Sequence, residues 1–166
     1  MVSIRCSTVS RATREISHGL HPSQLEHLGL AVSINKLCRE LNAGGKLTVR
    51  FSSHNFPEQI PSAVAVCLYR VVQESLRNIA THSRATTASI ELRTQGERIV
   101  LRISDNGVGF IYGRQPSGLG LISMRERVRG VGGYTEITSS PGAGTKIEVN
   151  VPLLSNSTSQ DTNDAA

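Results

Sequence analysis

The sequence predicts an α+β fold in which a mixed, mostly antiparallel sheet is covered on one face by three helices. Three observations lead to this prediction. The elements occur in the order helix, strand, helix, two strands, helix, two strands. Short turns join the last two strand pairs, as in antiparallel hairpins. Strands do not alternate singly with helices, so a two-layer α/β sandwich is favoured over a doubly wound parallel sheet.

The composition disfavours several classes of function. The 166 residues suit one domain that buries about two-thirds of its unfolded surface. The net charge of +5 is scattered and only 4% of the residues are aromatic, so a nucleic-acid partner is not expected. No apolar stretch approaches about 18 residues and no signal-peptide pattern is present. We therefore expect a cytoplasmic location, with no membrane contact by this chain and any anchor of a parent protein outside it.

The three cysteines, Cys6, Cys38 and Cys67, are too few and too widely spaced for a disulfide framework or a zinc site. Cys38 and Cys67 fall on apolar helical stripes. They are predicted to be buried free thiols in a reducing compartment.

Helical periodicity predicts the three helices. The first begins at Ser23, where Glu26 completes a capping box, and ends at residues 42–45. Its apolar face is predicted to comprise Leu25, Leu28, Val32, Leu37 and Leu41. The longest helix runs from Pro61 to His82, and a third spans residues 119–131. The stripe of the longest helix, with spacings of three and four, is Val64, Leu68, Val71, Val72, Ser75, Leu76 and Ile79.

Alternating apolar and polar residues predict five strands. The first stands alone, and the other four form two hairpins around turns that contain glycine. The predicted strands are residues 47–51, 86–93, 98–104, 134–139 and 145–151.

The longest helix carries Glu74, Asn78 and His82 at positions i, i+4 and i+8. This spacing places the three side chains along one polar edge, beside the apolar stripe. A carboxylate and an amide oxygen on one edge suit Mg²⁺, which prefers oxygen ligands. The alternative is an ordinary solvated helix face.

Two glycine pairs follow the strand that ends near Ser104. Asp105 enters the tight turn Asn106–Gly109, and Gly118 and Gly120 open the third helix. A carboxylate, exposed backbone and a helix N-terminus together suit a polar ligand with a charged tail, such as a nucleotide. The alternatives are a common turn sequence and an ordinary helix start.

In this order, the motifs resemble the ATP-binding domain of sensor histidine kinases, in the superfamily that includes gyrase, the Hsp90 chaperones and MutL. The fold implied is the Bergerat-type ATP-binding sandwich. Two further stretches resemble the short-lid kinases that act on response regulators with a helix-turn-helix output domain: Leu20–Leu30 and Gly120–Val128. The superfamily motifs are matched at Leu68–Ser83, Asp105–Phe110, Gly118–Leu121 and Gly144–Thr145.

The resemblance implies a role for each residue on the adenine side of the site. Asp105 would accept a hydrogen bond from the adenine amino group. Thr145 would support that contact. Gly107 and Gly109 would let the backbone pass close to the base.

On the phosphate side, the resemblance implies that Asn78 holds Mg²⁺ and acts with Glu74 as a catalytic residue. Glu74 occupies the position of the water-activating base in ATP-hydrolysing relatives, and in a kinase it would orient the acceptor imidazole or tune the metal. His82 would contact phosphate. The lid would span residues 111–117, where Arg114 could approach the phosphates or remain a solvated loop residue. The phosphate oxygens would be received at Gly118, Leu119, Gly120 and Leu121.

The resemblance also implies a division of the chain. Residues 1–22 would be the end of the second dimerisation helix and a linker, residues 23–154 the ATP-binding catalytic domain, and residues 155–166 a disordered tail. The R-E-x-H-D-like motif that carries the phosphoacceptor is not matched, because His18 and His21 align with the end of the second helix. The acceptor histidine is therefore expected outside this sequence.

The function implied is a protein-histidine kinase that uses ATP and Mg²⁺. Its partners would be the dimerisation and phosphoacceptor domain of the same kinase and a response regulator. A full-length homodimer is implied, and a monomer is compatible with this chain alone. Two alternatives stay open: a degenerate nucleotide-binding regulatory module, and an anti-sigma-factor-type serine kinase.

Overall fold

The computed structural model describes Leu25 and residues 28–111 and 119–153. Within this part of the chain, three α helices and five strands form two layers, as the sequence predicts. We number them in chain order: α1 Leu30–Ala43, β1 Thr48–His54, α2 Ser62–Asn78, β2 Thr87–Gln95, β3 Arg98–Asp105, α3 Leu119–Arg129, β4 Tyr134–Ser139 and β5 Thr145–Pro152.

The sheet has the strand order β1-β2-β3-β5-β4. The strand β1 runs parallel to β2, because α2 lies between them in the chain and provides the crossover. The other three pairings are antiparallel, and the two hairpins lie at the predicted positions. The sheet is therefore mixed and mostly antiparallel.

The helices cover one face of the sheet. Alternate strand residues such as Ile90, Leu101 and Val149 are at most 1% exposed and join the helix side chains in a single core. The other face is mainly polar, and Arg102 on β3 lies directly opposite Glu148 on β5. This period-two burial fixes the strand register.

The inner face of α1 differs from the prediction, and the predicted capping residues Ser23 and Glu26 lie outside the described residues. Gly29, with φ of 76°, precedes the helix, which begins at Leu30. The predicted face is wrong at Leu28 and Val32, which are 46% and 58% exposed, whereas Leu25, Leu37 and Leu41 are buried as predicted. Because Gly29 has a positive φ, the residues before it and the residues of α1 after it do not follow one continuous helical pattern. The buried residues of α1 are Leu30, Ser33, Ile34, Leu37, Cys38 and Leu41.

The predicted stripe of the longest helix is confirmed, because all seven of its residues are buried. The α-helical part ends earlier than predicted, at Asn78. A π-helical turn, Ile79–Ser83, follows and stops at Arg84 in the left-handed conformation. The wider turn brings the end of this segment to the start of β2.

Cys38 and Cys67 are buried free thiols, as predicted. Burial raises the pKa of Cys38 to about 12 and that of Cys67 to about 11. The predicted linker at residues 1–22 and the predicted tail lie outside the described residues. Among the described helices, none combines the length and apolar character needed to cross a membrane.

Candidate nucleotide-binding site

Asp105 is the last residue of β3, where it pairs with Ala88 of β2 and Thr145 of β5. Its Oδ1 accepts a hydrogen bond of 2.7 Å from the backbone N–H of Gly107. Burial raises the pKa of this carboxyl group above its ordinary value, and hydrogen bonds from the backbone of Gly107 and Thr145 oppose part of the rise. The predicted adenine-binding carboxylate therefore lies half-buried at the end of a central strand.

The glycine turn after Asp105 is wedged between two other segments. The N–H of Val108 donates to the carbonyl of Ser83 over 2.7 Å, and the N–H of Gly142 donates to the carbonyl of Val108 over 2.7 Å. At Gly107, a Cβ would lie 2.6 Å from the Cβ of Ser83, so no larger side chain fits. Gly109 has φ of 60° and faces the backbone of the β4–β5 loop. The turn is thus held in place on both sides.

Asn106 fixes the turn to the start of β2. Its Oδ1 accepts hydrogen bonds from the N–H groups of Thr86 and Thr87, each over 3.0 Å. Its Nδ2 donates to Oγ1 of Thr86 over 3.0 Å. From the sequence alone, Asn106 is assigned only to the turn, because the residues that its side chain bonds lie about twenty positions earlier in the chain.

Ser139 is a site residue that the sequence analysis missed. Its hydroxyl donates to the carbonyl of Gly144 over 2.8 Å and accepts from the N–H of Phe110 over 3.0 Å. The hydroxyl also lies 3.1 Å from Oγ1 of Thr145. One side chain thereby joins the glycine turn to the Gly144–Thr145 motif. No local pattern marks it, since a serine at a strand end is common.

Glu74 belongs to α2, and its side chain lies between α2 and α3. One of its carboxylate oxygens accepts a hydrogen bond of 2.9 Å from Arg77, and the side chain is 22% exposed. The carboxyl group also packs against Gly120, where a Cβ would lie 3.0 Å from Cδ of Glu74. The structure thus brings together Glu74 and Gly120, two residues predicted for the phosphate side of the site.

Asn78 is half-buried one turn after Glu74 on α2. Its side chain makes no hydrogen bond to the residues that the structure describes, so its amide oxygen can accept a ligand. His82 is exposed and belongs to the π-helical turn. The α-helical hydrogen bonding therefore ends before His82, and the alignment of His82 with Glu74 and Asn78 stays a prediction.

The helix start predicted to receive phosphate is only partly described. At the start of α3, Leu119 is 87% exposed, and Gly120 and Leu121 are half-buried. Gly118 and residues 112–117 of the predicted lid, including Arg114, lie outside the described residues. The roles of Gly118 and the lid therefore stay predictions.

The described residues offer few side-chain ligands for a metal ion. No cluster of three or more His, Cys, Asp or Glu side chains able to hold a metal ion occurs in the described part of the chain. An ion that depends on a full set of protein ligands does not fit here. Mg²⁺ fits, because it commonly takes one or two protein oxygens and completes its shell with phosphates and water. Asn78 can provide such an oxygen.

The mixed sheet, its single layer of helices and the glycine turn beside Asp105 define a class of ATP-binding domains. Residues 63–155 match the model of the family described as "Histidine kinase-, DNA gyrase B-, and HSP90-like ATPase". This match covers more than half of the chain, and the chain belongs to that family. Membership implies that the chain binds ATP.

Several proteins that are similar to the chain in sequence are named as histidine kinases. The chain is 33% identical to sensor histidine kinase ComP of Bacillus subtilis over 89% of this chain and 20% of ComP. It is 36% identical to the histidine-protein kinase/phosphatase UhpB of Salmonella typhimurium over 85% of this chain and 28% of UhpB. For LiaS of Bacillus subtilis, the identity is 32% over 93% of this chain and 42% of LiaS. The predicted resemblance to the ATP-binding domain of these kinases is confirmed, and the chain spans less than half of each relative.

Solved structures support the same fold. The histidine kinase domain of the blue-light activated kinase EL346 from Erythrobacter litoralis superimposes with a TM-score of 0.63 at 20% identity, over 89% of this chain and 74% of that one. The histidine kinase AdeS of Acinetobacter baumannii gives a TM-score of 0.58 at 14% identity, over 87% and 75% of the two chains. At these identities the likeness establishes the fold alone.

Proposed function

We propose that the chain is the catalytic domain of a cytoplasmic two-component sensor histidine kinase. It binds ATP with Mg²⁺ and supplies the γ-phosphate to a histidine on a dimerisation domain, for relay to an aspartate of a response regulator. The observation that carries the proposal is Asp105, a half-buried carboxylate at a strand end, beside a glycine turn in a chain of this ATPase family.

Recognition of adenine depends on where the site places its hydrogen-bond acceptors. A carboxylate that is partly removed from water and fixed by the N–H of Gly107 offers a directed acceptor to the exocyclic amine of adenine. The hydroxyl of Thr145, fixed through Ser139, is available to assist that contact. Because Gly107 and Gly109 have no side chains, the turn packs closely against Ser83 and the β4–β5 loop. This packing fixes the backbone beside Asp105 that a flat base would approach.

The phosphate side lies along α2 and the start of α3. Asn78 would hold Mg²⁺, and when bound the metal neutralises phosphate charge. Backbone amides at the start of α3, including those of Gly120 and Leu121, would donate to the phosphate oxygens, because a helix N-terminus leaves its first amides without intrahelical partners. His82 and Arg114 of the predicted lid would contact the phosphates.

The chain's own residues act mainly by positioning. Phosphoryl transfer requires the donor and the acceptor in line and a site that stabilises charge, and it needs little covalent chemistry from the protein. Glu74 accepts a hydrogen bond from Arg77, and its carboxyl group lies beside Gly120, which limits the directions that the carboxylate can take. We propose that Glu74 orients the imidazole of the acceptor histidine.

Nucleotide binding is tested by calorimetry of this chain with ATP and Mg²⁺. We expect one site and a loss of affinity of at least about tenfold in Asp105→Asn, because the amide would present its own N–H donors to the adenine amine. Unchanged affinity in Asp105→Asn contradicts the adenine assignment. Transfer is tested separately, by incubating the chain with ATP and the phosphoacceptor domain of its parent protein and measuring phosphohistidine.

A further inference from the structure

Asn106 and Gly107 form the one Asn–Gly pair in the sequence. Asparagine deamidates fastest when glycine follows it, because glycine has no side chain to keep its nitrogen away from the asparagine side chain. Neither residue is easily replaced here. A Cβ at residue 107 would lie 2.6 Å from the Cβ of Ser83, and the side chain of Asn106 joins the turn to β2. The packing of the glycine turn therefore requires a chemically reactive pair beside Asp105.

Deamidation of this pair is a reaction between neighbouring groups of the chain. The backbone nitrogen of Gly107 loses its hydrogen to hydroxide and attacks Cγ of Asn106. The new N–Cγ bond closes a succinimide ring, and the Cγ–Nδ2 bond breaks to release ammonia, which takes its third hydrogen from water. Water then opens the ring. Attack of water at Cγ gives aspartate, and attack at the main-chain carbonyl gives isoaspartate, in which the main chain runs through Cβ and Cγ.

The fold holds the attacking nitrogen. The N–H of Gly107 donates to Oδ1 of Asp105 over 2.7 Å, and Gly107 is buried. Removal of that hydrogen would create an anionic nitrogen beside a carboxylate, and the repulsion of like charges opposes its formation. The contact between Asp105 and Gly107 therefore slows the first step of the reaction.

The fold also holds the group that would be attacked. Oδ1 of Asn106 accepts from the N–H groups of Thr86 and Thr87, and Nδ2 donates to Oγ1 of Thr86, each over 3.0 Å. Attack makes Cγ tetrahedral and turns Oδ1 and Nδ2 away from their planar arrangement, so these directional bonds would be lost. Asn106 is exposed to solvent. Its protection must therefore come from the hydrogen bonds and not from burial.

We propose that Asn106–Gly107 is a deamidation site that the folded turn protects, and that deamidation there removes nucleotide binding. Either product places a second carboxylate next to Asp105. Isoaspartate also lengthens the main chain between Asp105 and Gly107, which breaks the contact that directs the Asp105 carboxylate. The loss of nucleotide binding rests on the proposed function, whereas the protection does not.

The protection is tested by incubating the chain in mildly alkaline buffer, either folded or unfolded in urea. Mass spectrometry of the proteolytic peptide that contains Asn106 follows the mass gain on replacement of NH₂ by OH. The folded chain should deamidate at least about tenfold more slowly, because the reaction requires local opening of the turn. Equal rates in the folded and unfolded chain overturn the proposal.

Two variants identify the contacts that protect the pair. Thr86→Val removes the acceptor for Nδ2 of Asn106, and Asp105→Ala removes the acceptor for the N–H of Gly107. Each should raise the rate in the folded chain about threefold to tenfold, as expected for the loss of one hydrogen bond. Urea denaturation establishes conditions in which each variant is folded.

Ser104→Ala is the matched control, because the hydroxyl of Ser104 bonds that of Ser89 and lies in the same strand as Asp105. Its rate should stay within about twofold of the wild type. Unchanged rates in both Thr86→Val and Asp105→Ala overturn the proposal. So does a rise in Ser104→Ala equal to that in the other two variants.

The effect on binding is measured on the deamidated fraction, which ion exchange separates by its additional negative charge. Calorimetry with ATP and Mg²⁺ should show affinity at least about tenfold weaker than that of the unmodified chain. If both forms bind ATP equally, the effect of deamidation on binding is refuted and nucleotide binding stands. If neither form binds ATP, the proposed nucleotide site is refuted together with that effect, while the mass measurements still decide the protection.

Discussion

The carboxyl group of Glu74 on α2 packs directly against Gly120 at the start of α3, and a Cβ at residue 120 would lie 3.0 Å from Cδ of Glu74. This contact joins the polar edge of the longest helix to the second glycine motif. It also explains why a glycine is needed in a helix, where it is otherwise unfavourable by about 0.5–1 kcal/mol relative to alanine.

We therefore expect Gly120→Ala to impair function more than folding. The added methyl group displaces the end of the flexible Glu74 side chain, while alanine favours the helix, so the free energy of unfolding should change by less than about 1 kcal/mol. Phosphotransfer should fall at least about tenfold because the carboxylate of Glu74 is displaced from its position beside residue 120. Urea denaturation and a transfer assay measure the two effects.

Gly130→Ala is the matched control for this prediction. A Cβ at residue 130 would meet its nearest neighbour at 3.4 Å, an ordinary contact distance. Transfer should stay within about twofold of the wild type in this variant. Equal transfer rates for Gly120→Ala and Gly130→Ala would show that the Glu74–Gly120 contact has no functional role.

Asp105→Asn should remove nucleotide binding without destabilising the fold. Burial raises the pKa of Asp105 in the folded state, so the ionised carboxyl group opposes folding at neutral pH. As pH rises from below the unfolded pKa to above the folded pKa, this group lowers the free energy of unfolding. The neutral amide avoids that cost and can still accept from Gly107.

The measurement compares urea denaturation of the wild type and Asp105→Asn at low and neutral pH. The two proteins should have similar stability near pH 3.5, below the ordinary aspartate pKa. At pH 7 the variant should be equally stable or more stable. A variant less stable than the wild type by more than about 1 kcal/mol at pH 7 would show that the ionised carboxylate stabilises the fold.

The sequence predicted the order of the elements because the relevant signals are local. Glycine turns marked both hairpins, and spacings of three and four identified the buried stripe of α2. The adjacency of Asp105 and Thr145 does not follow from these local patterns, since β3 and β5 belong to different hairpins and pair only in the folded sheet. It was implied by the family resemblance alone.

Features that depend on distant contacts were not predicted. The inner face of α1 is set by the left-handed backbone at Gly29, which no window of helical periodicity detects. The π-helical turn at Ile79–Ser83, which continues α2, was predicted as ordinary α-helix. Arg70 and Arg127 are 57 positions apart in the sequence and line one cleft between α2 and α3 only in the folded chain.

The cross-strand pair of Arg102 and Glu148 should stabilise the sheet with a pH dependence opposite to that of Asp105. Their ion pair is 2.7 Å long, and the hydrogen bond from Arg102 lowers the pKa of Glu148. A depressed folded pKa means that the stabilisation is present above the unfolded pKa of about 4.5 and is lost as pH falls through the folded value. A double-mutant cycle at pH 7 should give about 0.5–1 kcal/mol.

The Glu126–Arg129 pair is the comparison. It is longer, at 3.4 Å, and its side chains are 67% and 73% exposed, so its coupling energy should be below about 0.5 kcal/mol. The Arg102–Glu148 coupling should weaken in high salt and decrease as pH falls below the unfolded pKa of about 4.5. A coupling that is the same at pH 3 and pH 7 would refute a role for the ionised Glu148.

Ser139→Ala should loosen the site from the β4–β5 side. The serine hydroxyl joins Phe110 of the glycine turn to Gly144 and Thr145, so its removal leaves the N–H of Phe110 and the carbonyl of Gly144 without that partner. Loss of partners for half-buried polar groups costs about 1–3 kcal/mol. ATP affinity should also fall, because Thr145 loses the contact that orients its hydroxyl.

Ser104→Ala provides the control for Ser139→Ala. Among the residues that the structure describes, its hydroxyl bonds that of Ser89 alone, over 2.9 Å and in an exposed position. The free energy of unfolding should therefore fall by less than about 0.5 kcal/mol. Urea denaturation and ATP calorimetry are run on both variants. If Ser139→Ala resembles Ser104→Ala in both measurements, the three contacts of Ser139 are dispensable, and the positions of Phe110 and Thr145 must be fixed by the backbone pairing of β4 and β5 alone.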